Sequence, residues 1–348
     1  MNRSLPTLLA AVAMLSCSSE EAPDPEVASP TFRTIGSIER IDPAIDAIVP
    51  AGAVLEVLAE GHEWTEGPVW VPAMQAVLYS DIPNNAIYRW SEAEGGSIWL
   101  QPSGYTGEVP RGGESGSNGL LLDGEGRLVL AMHGDRRIAR MDAPLNAPEP
   151  NFETLVGDFE GRRFNSPNDV ALGSNGDLYF TDPPYGIRGD YEGNRAEQEH
   201  PLSVYRVDAD GGIKRVTDDI DAPNGLCFSP DYSLLYVSNT GAGQDIRVWD
   251  VDGDILRNGR TFAELVDPTT GSRTSADGIR CDVDGNVWAG ARPGVQVVAP
   301  NGVTIGVIRL PEVCANVCFG GTKRNRLFMT ASQSLYSVYV GVRGAGVA

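Results

Sequence analysis

Basic residues are scarce in this sequence. Its 348 residues include 27 Lys and Arg against 47 Asp and Glu, which gives a formal net charge of −20 at pH 7. Proteins bind nucleic-acid phosphates with clustered Lys and Arg, so this composition argues against a nucleic-acid partner. A small neutral substrate or a cation fits the charge balance better.

Signatures of several enzyme classes are also absent. The chain contains no GxSxG nucleophile motif, no HExxH zinc motif and no Walker loop, which disfavours a serine hydrolase, a zincin and a nucleotide site. Its five Cys and three His show no CxxC or Cys/His ligand spacing. The Cys residues after position 17 are therefore expected to be buried free thiols, namely Cys227, Cys281, Cys314 and Cys318.

The N-terminus has the layout of a secretory signal. Its apolar run, Leu8 to Leu15, is too short to span a bilayer and is followed by small residues. Cys17 after Ser16 resembles a bacterial lipoprotein cleavage box, so we predict that residues 1–17 are a signal peptide and that Cys17 carries a lipid. The protein would then be periplasmic or anchored to the outer membrane by that lipid alone. Plain secretion after cleavage nearby is the alternative. Residues 18–30 are acidic and Pro-rich and predict a flexible linker.

A hairpin pattern recurs through the rest of the chain. Each copy has a polar residue, a short apolar strand, a turn rich in Gly, Asp or Asn and a second apolar strand, as in "NDVALGSNGDLYFTD" and "NGLCFSPDYSLLYVSN". The leading polar residues, termed opening residues below, are spaced by 52, 50, 56 and 53 positions and are Glu66, Asn118, Asn168, Asn224 and Asp277. This period predicts an all-β, six-bladed β-propeller over residues 31–348. Residues 53–61 are predicted to form the outer strand of the last blade and so close the ring.

Inner strands of a propeller run beside its central channel, so the opening residues are expected to form a ring at one mouth. Carboxylate and amide oxygens suit a hard cation such as Ca²⁺, Mg²⁺ or Mn²⁺. At any single position, an Asx turn that closes the loop between blades is the alternative. Five positions in register, with acidic residues at both ends of the series, favour a cation site. The ends of the second strands are expected to add polar groups to the same mouth, namely Asp81, His133, Asp182, Asn239 and Arg292.

Four motifs together resemble a known family. "EGPVW", "FNSPNDV", "APNGLCFSPD" and "SADGIRCDVDGNVWAG" are similar to motifs of the SMP-30/gluconolactonase/luciferin-regenerating-enzyme-like family, in particular its bacterial gluconolactonase branch. The resemblance implies hydrolysis of a sugar lactone at one divalent metal ion. Ca²⁺ is the expected ion, and Mg²⁺, Mn²⁺ and Zn²⁺ are the alternatives. It places the metal ligands at Glu66, Asn168, Asn224 and Asp277. Vertebrate members carry a substrate-binding Arg at the position of Ser166, so their sugar-acid specificity does not transfer directly.

Roles for the remaining candidates follow from this reading. Asp277, as ligand or as neighbour of the attacking water, is the predicted general base. Substrate contacts are predicted for Asn118, His133, Asn168 and Tyr185, and a purely structural role is the alternative for His133. Two other functions stay open: phosphotriester hydrolysis, and a non-catalytic propeller that calcium stiffens and that binds a protein partner. The sequence gives no prediction of oligomeric state.

Overall fold

Strands dominate the part of the chain that the structure describes. The computed structural model describes Met1 and residues 32–109, 112–189 and 195–346. The predicted signal peptide, the Cys17 lipidation site and the predicted linker lie outside these residues. The N-terminal elements of the described part are β1 (Ser37–Arg40), the one-turn helix α1 (Ile45–Ile48) and β2 (Leu55–Glu60).

Antiparallel sheets then follow one another along the chain, each ordered from an inner to an outer strand. Blade 1 contains β3 (Thr65–Val71), β4 (Ala76–Asp81), β5 (Ala86–Ser91) and β6 (Gly95–Leu100). Blade 2 contains β7 (Leu120–Leu122), β8 (Leu128–Met132), β9 (Arg137–Met141) and β10 (Phe152–Val156). A two-stranded hairpin precedes the third blade and consists of β11 (Asp158–Phe159) and β12 (Arg162–Arg163).

The second half of the ring repeats this plan. Blade 3 contains β13 (Val170–Leu172), β14 (Leu178–Asp182), β15 (Ser203–Val207) and β16 (Ile213–Thr217). Blade 4 contains β17 (Pro223–Phe228), β18 (Leu234–Asn239), β19 (Asp245–Asp252), β20 (Ile255–Val266) and β21 (Arg273–Thr274). Blade 5 contains β22 (Ile279–Cys281), β23 (Val287–Ala291), β24 (Gly294–Val298) and β25 (Thr304–Arg309). Blade 6 contains β26 (Cys314–Gly320), β27 (Arg326–Ala331) and β28 (Ser334–Tyr339). Two 3₁₀ turns complete the elements, Pro72–Met74 and Tyr185–Ile187.

The N-terminal strands complete the last two blades. β2 pairs with β28, with Leu55 opposite Val338, so blade 6 receives its outer strand from the start of the domain, as the sequence predicts. β1 pairs with β25 and adds a fifth strand to blade 5, which the sequence did not indicate. The six blades confirm the all-β, six-bladed propeller. No helix among the described residues is long and apolar enough to cross a membrane.

Turn chemistry explains why the inner hairpins form where they do. In blade 3, Gly173 N–H donates to the Asp177 carbonyl at 2.8 Å, and Gly176 N–H donates back to the Gly173 carbonyl at 3.0 Å. Gly176 has a φ of 87°, a backbone conformation that is strained for residues with a Cβ. Asp282 and Gly285 form the same pair of bonds in blade 5. In these two blades the turn Gly therefore helps to fix the register of the inner strand.

The core lies between neighbouring blades. Val129 and Ile138 of blade 2, for example, pack in one cluster with Phe180 and Tyr205 of blade 3. In blade 3, for example, the second strand is buried along its whole length, whereas the fourth strand has two exposed residues among its five. Cys227, Cys281, Cys314 and Cys318 are buried and free, which confirms the prediction for the thiols.

Substitution of Leu55 tests the closure of the ring. Leu55 is 3% exposed and packs in the cluster that contains Tyr336 and Val338 of blade 6. We expect Leu55→Ala to lower the free energy of unfolding by about 2–4 kcal/mol, the usual cost of removing a buried Leu side chain. Denaturant titration measures this loss. Its neighbour Val54 is 55% exposed, so Val54→Ala is the control and is expected to change stability by less than about 0.5 kcal/mol. Equal small effects of both changes would contradict the role of β2.

Candidate functional site at the channel mouth

The opening residues stand where the inner strands begin. Glu66 and Asn224 lie within the first two residues of β3 and β17, and Asn118, Asn168 and Asp277 each lie two residues before their inner strand. Their backbone N–H groups bond to the second strand of the same blade, at 2.9 Å from Asn118 to Ala131 O, 2.9 Å from Asn168 to Thr181 O and 2.7 Å from Asp277 to Gly290 O. Each blade therefore fixes its own opening residue through the hairpin.

Glycines after the opening residues allow neighbouring blades to meet. A Cβ on Gly67 would lie 2.0 Å from the carbonyl oxygen of Asn118, and one on Gly225 would lie 2.5 Å from that of Asp277. A Cβ on Gly278 would lie 2.0 Å from Cγ of Asn316. The recurring Glu-Gly, Asn-Gly and Asp-Gly pairs are thus a steric requirement, since any side chain would push the inner strands apart.

Hydroxyl groups on the second strands tie each blade to the next. Ser80 Oγ donates to the carbonyl of Asn118 at 2.9 Å, Thr181 Oγ1 to that of Asn224 at 2.6 Å, and Ser238 Oγ to that of Asp277 at 2.6 Å. Each donor is the penultimate residue of its strand. Sequence reasoning missed this belt, although its signal is present in the phrases "YSD", "FTD" and "VSN".

Glu66 is buried beside a sixth opening residue that sequence reasoning did not include. Asn316 of blade 6 donates from Nδ2 to Glu66 Oε2 at 3.1 Å, and Gly67 N–H donates to the same oxygen at 3.0 Å. Burial raises the pKa of Glu66 well above its usual value, and the nearby Asp277 raises it further. The weak repeat "NVCFGG" concealed Asn316, because no Gly follows it in the opening position.

Asp277, which is half-buried, completes a pair of carboxylates with Glu66. Burial raises the pKa of Asp277 to about 8, the Asn224 side chain opposes this by hydrogen bonding, and Asp169 and Glu114 add to it. Among the described residues, Asp277 Oδ1 and Asn118 Oδ1 are buried side-chain oxygens without a hydrogen-bond partner. The mouth therefore combines two carboxylates that repel each other with amide oxygens that have unused acceptor capacity.

Tyr185 lies beside this pair. Its hydroxyl bonds to Thr240 Oγ1 and to the Asn224 side chain, and burial raises its pKa. Asn224 therefore links Tyr185 to Asp277. The guanidinium carbon of Arg188 lies 5.1 Å from the centre of the Tyr185 ring, a cation–π contact on the rim.

His133 lies deeper, beneath the loop that carries Tyr185. Its Nδ1 is 3.4 Å from the carbonyl oxygen of Pro167, so Nδ1 bears the proton and Nε2 has the free lone pair. A Cβ on Gly186 would lie only 2.5 Å from Nε2, which shows how closely the loop covers the ring. Ser166 fastens this loop, since its Oγ donates to Pro183 O at 2.6 Å and accepts from Gly186 N at 3.0 Å.

The other second-strand ends bind backbone groups. Asp81 accepts from the N–H of Trp64 at 3.2 Å, Asp182 from the N–H groups of Asn165 and Ser166 at 2.8 and 2.9 Å, and Asn239 from Ala222 N–H at 3.1 Å. Each donor lies in the loop that leads to the inner strand of the same blade. The polar groups of these side chains are occupied by the loop bonds, and Arg292 is exposed. The expectation of a second polar ring at the mouth is therefore wrong for these four residues.

The Asn168-Asp169 pair that precedes β13 places a carboxylate beside a neighbouring blade. Its carboxylate is fully buried and accepts from Arg280 of blade 5, with Nη1–Oδ2 at 2.9 Å and Nη2–Oδ1 at 3.3 Å. Burial alone would lower the pKa of Arg280, but the Asp169 carboxylate raises it above its usual range. Asp169 occupies the position at which four other blades carry Gly. Sequence reasoning assigned no role to Arg280.

The donor set at the mouth fits a hard divalent cation. Within residues 32–109, 112–189 and 195–346, no group of three or more His, Cys, Asp or Glu side chains is arranged to hold a metal. Glu66 and Asp277 supply only two carboxylates, so amide oxygens must supply the other protein ligands. Such mixed carboxylate and amide coordination is usual for Ca²⁺, and the unpartnered Oδ1 of Asp277 is consistent with it.

Together these features define a six-bladed propeller in which acidic and amide side chains of neighbouring inner strands lie close together. The sequence profile of the SMP-30/Gluconolactonase/LRE-like region matches residues 64–333. The chain therefore belongs to the SMP-30/gluconolactonase/LRE-like family, as the motifs indicated.

Individual relatives agree with this assignment. The chain is 36% identical over 315 residues to a gluconolactonase from Zymomonas mobilis, which covers 88% of this chain and 86% of the relative. The solved structure of a gluconolactonase from Xanthomonas campestris superposes with a TM-score of 0.78 at 31% identity, over 90% of this chain and 99% of that one. A calcium-binding protein, regucalcin, from Agrobacterium tumefaciens has a TM-score of 0.63 at 20% identity, over 84% and 94% of the two chains, and so shares the fold.

A pH titration of stability tests the environment of His133. Burial lowers the pKa of His133 to about 4, below the value of about 6.5 in unfolded chains. Between these values the unfolded state binds more protons, so this residue makes stability rise with pH. His133→Asn keeps a donor for Pro167 O and removes the titration. We expect the stability difference between the wild type and this variant to shrink by about 2–3 kcal/mol from pH 8 to pH 4.5, as measured by denaturant unfolding. A difference independent of pH would show that His133 is not buried as described.

Proposed function

We propose that this protein hydrolyses a sugar lactone at the mouth of its channel and that the reaction depends on a bound divalent cation. The observation that carries the proposal is the convergence of two carboxylates, the buried Glu66 and the half-buried Asp277, with amide side chains of neighbouring inner strands. The gluconolactonases among its relatives support lactone hydrolysis as the reaction class.

Four side chains would hold the cation: Glu66, Asn168, Asn224 and Asp277. The first and last supply negative charge, and the two amides supply neutral oxygens. Ca²⁺ is the ion that this donor set suits best. When bound, such an ion polarises a carbonyl oxygen and lowers the pKa of a bound water. Burial raises the pKa of Glu66 and repulsion by Asp277 raises it further, and a bound cation would relieve this repulsion.

Asp277 is the proposed general base. Its Oδ1 has no hydrogen-bond partner and can therefore accept a proton from a water. Asp277 takes a proton from the attacking water while the water oxygen forms a bond to the lactone carbonyl carbon. The ring C–O bond then breaks, and the departing oxygen takes the proton back from Asp277 to give the open hydroxy acid.

Substrate orientation falls to the other polar groups of the mouth. Asn118 has an unpartnered, buried Oδ1 that can accept a hydrogen bond from a sugar hydroxyl. Asn168 and the hydroxyl of Tyr185 are the other proposed contacts, and His133 contributes through its Nε2 lone pair if the Gly186 loop moves. With Glu66, Glu114 and Asp277 near one another, the mouth is acidic and suits a neutral lactone.

Chelation and a base substitution test the proposal together. We expect EDTA to abolish hydrolysis of glucono-1,5-lactone and added Ca²⁺ to restore it. Asp277→Asn is expected to lower kcat by about 10²-fold or more, because it removes both a charged ligand and the base. Asp210→Asn, in the exposed turn between β15 and β16, is the control and is expected to leave turnover unchanged.

Three results would redirect the proposal. Lactonase activity that survives chelation would contradict the role of the cation. Turnover of phosphotriesters in preference to lactones would support the alternative hydrolase. Calcium binding without turnover of either substrate panel would favour a non-catalytic binding platform.

A pair of Asn substitutions separates substrate contact from cation binding. Asn118→Ala is expected to retain Ca²⁺ affinity and to raise KM about tenfold, because it removes a hydrogen bond to the substrate. Asn168→Ala is expected to weaken Ca²⁺ binding itself. Isothermal titration with Ca²⁺ and steady-state kinetics distinguish the two, and loss of Ca²⁺ binding in Asn118→Ala would contradict the assignment.

A further inference from the structure

Asp169 is the exception in a row of glycines. The residue after the opening residue is Gly in blades 1, 2, 4 and 5, where no side chain fits. In blade 3 this position carries a carboxylate with no exposed surface. The space that it fills is left by Gly119, because a Cβ there would lie 2.7 Å from Asp169 Oδ1.

The carboxylate of Asp169 contacts four blades around the channel. It lies against Gly119 of blade 2 and accepts from Val170 N–H of its own blade at 2.9 Å. It also accepts from Leu226 N–H of blade 4 at 3.4 Å and from the guanidinium of Arg280 in blade 5.

The guanidinium of Arg280 fixes the geometry of its ion pair with Asp169. Its guanidinium meets Asp169 through two nitrogens and also donates from Nη1 to its own strand at Ile279 O, 2.7 Å away. The fork geometry of Arg, unlike the single ammonium of Lys, fixes the angle between the two side chains. The Asp169 side chain is fully buried and that of Arg280 is 20% exposed, so the carboxylate depends on the guanidinium for compensation of its charge.

The position of the pair relates it to the proposed function. Asp169 follows Asn168 directly, and its partners Gly119, Leu226 and Arg280 lie one, two and three residues after Asn118, Asn224 and Asp277. The pair therefore lies one layer below the opening residues of four consecutive blades.

We propose that Asp169 and Arg280 form a positioning pair that holds the opening residues of blades 2 to 5 in the arrangement needed for the cation and the substrate. This inference rests on the proposed function where Ca²⁺ binding or lactone turnover is measured. It does not rest on it where the positions of the opening residues are compared. It assigns a role to two residues that touch neither the cation nor the substrate. The competing hypothesis is that Asp169 and Arg280 only neutralise each other's charge.

Arg280→Lys separates the two accounts, because it keeps the charge and removes the fork. We expect at least tenfold weaker Ca²⁺ binding by isothermal titration and a larger loss in kcat than change in KM for glucono-1,5-lactone. The matched control is Arg206→Lys, since Arg206 forms another buried pair, with Nε 2.6 Å from Asp177 Oδ2, beside the turn at the other end of the inner strand. It is expected to lower the melting temperature without changing Ca²⁺ affinity or kcat.

A double variant covers the case in which Arg280→Lys does not fold. Asp169→Asn with Arg280→Gln leaves the net charge unchanged and leaves no buried charge unpaired. If the pair positions the opening residues, this variant binds Ca²⁺ more weakly than the wild type. If the pair only balances charge, the Ca²⁺ affinity is unchanged. Wild-type affinity and kcat in either folded variant would overturn the proposal.

A crystal structure of the folded variant supplies a readout independent of activity. The proposal predicts that Asn168 and Asp277 shift relative to the wild type while the outer strands superpose. If the wild type neither binds Ca²⁺ nor hydrolyses lactones, the proposed function fails and this comparison alone decides the role of the pair. If the opening residues of the variant superpose on those of the wild type, the positioning role of Asp169 and Arg280 is wrong.

Discussion

The structure depends on the close approach of its inner strands around one axis. Each opening residue is fixed twice, by a backbone bond within its blade and by contact with the preceding blade, and the contact between blades leaves no room for a Cβ after Glu66, Asn224 or Asp277. Because the strands meet so closely, polar side chains from different blades are forced into one small volume. The mutual repulsion of two carboxylates follows from this geometry, and it is the basis of the proposed cation site.

The repeat made most of the fold predictable. A period near fifty residues and the turn chemistry around Gly176 indicated hairpins and blades, and ring closure by the strand that contains Leu55 followed from the need to remove free sheet edges. The positions of Glu66 and Asp277 at one mouth followed from the same register. These features depend on local pattern and on the phase of the repeat, both of which the sequence displays directly.

Contacts between distant blades were not predictable in the same way. The register alone cannot show whether a polar residue at a strand end faces the channel or a loop. Asp182 was expected at the mouth, yet it accepts two backbone N–H groups of its own loop. Asn316 was concealed because its blade lacks the Gly of the motif. The pairing of Asp169 with Arg280 joins residues 111 positions apart and depends on how far a long side chain reaches across the channel, which no periodic pattern encodes.

The account as a whole rests on a cation at the mouth. Diffraction from crystals soaked in Mn²⁺, with data collected for anomalous scattering, tests this most directly. The account predicts one strong anomalous peak, about 2.0–2.6 Å from carboxylate oxygens of Glu66 and Asp277 and amide oxygens of Asn168 and Asn224. An ordered mouth without a peak, or a peak bound only by other residues, would contradict it.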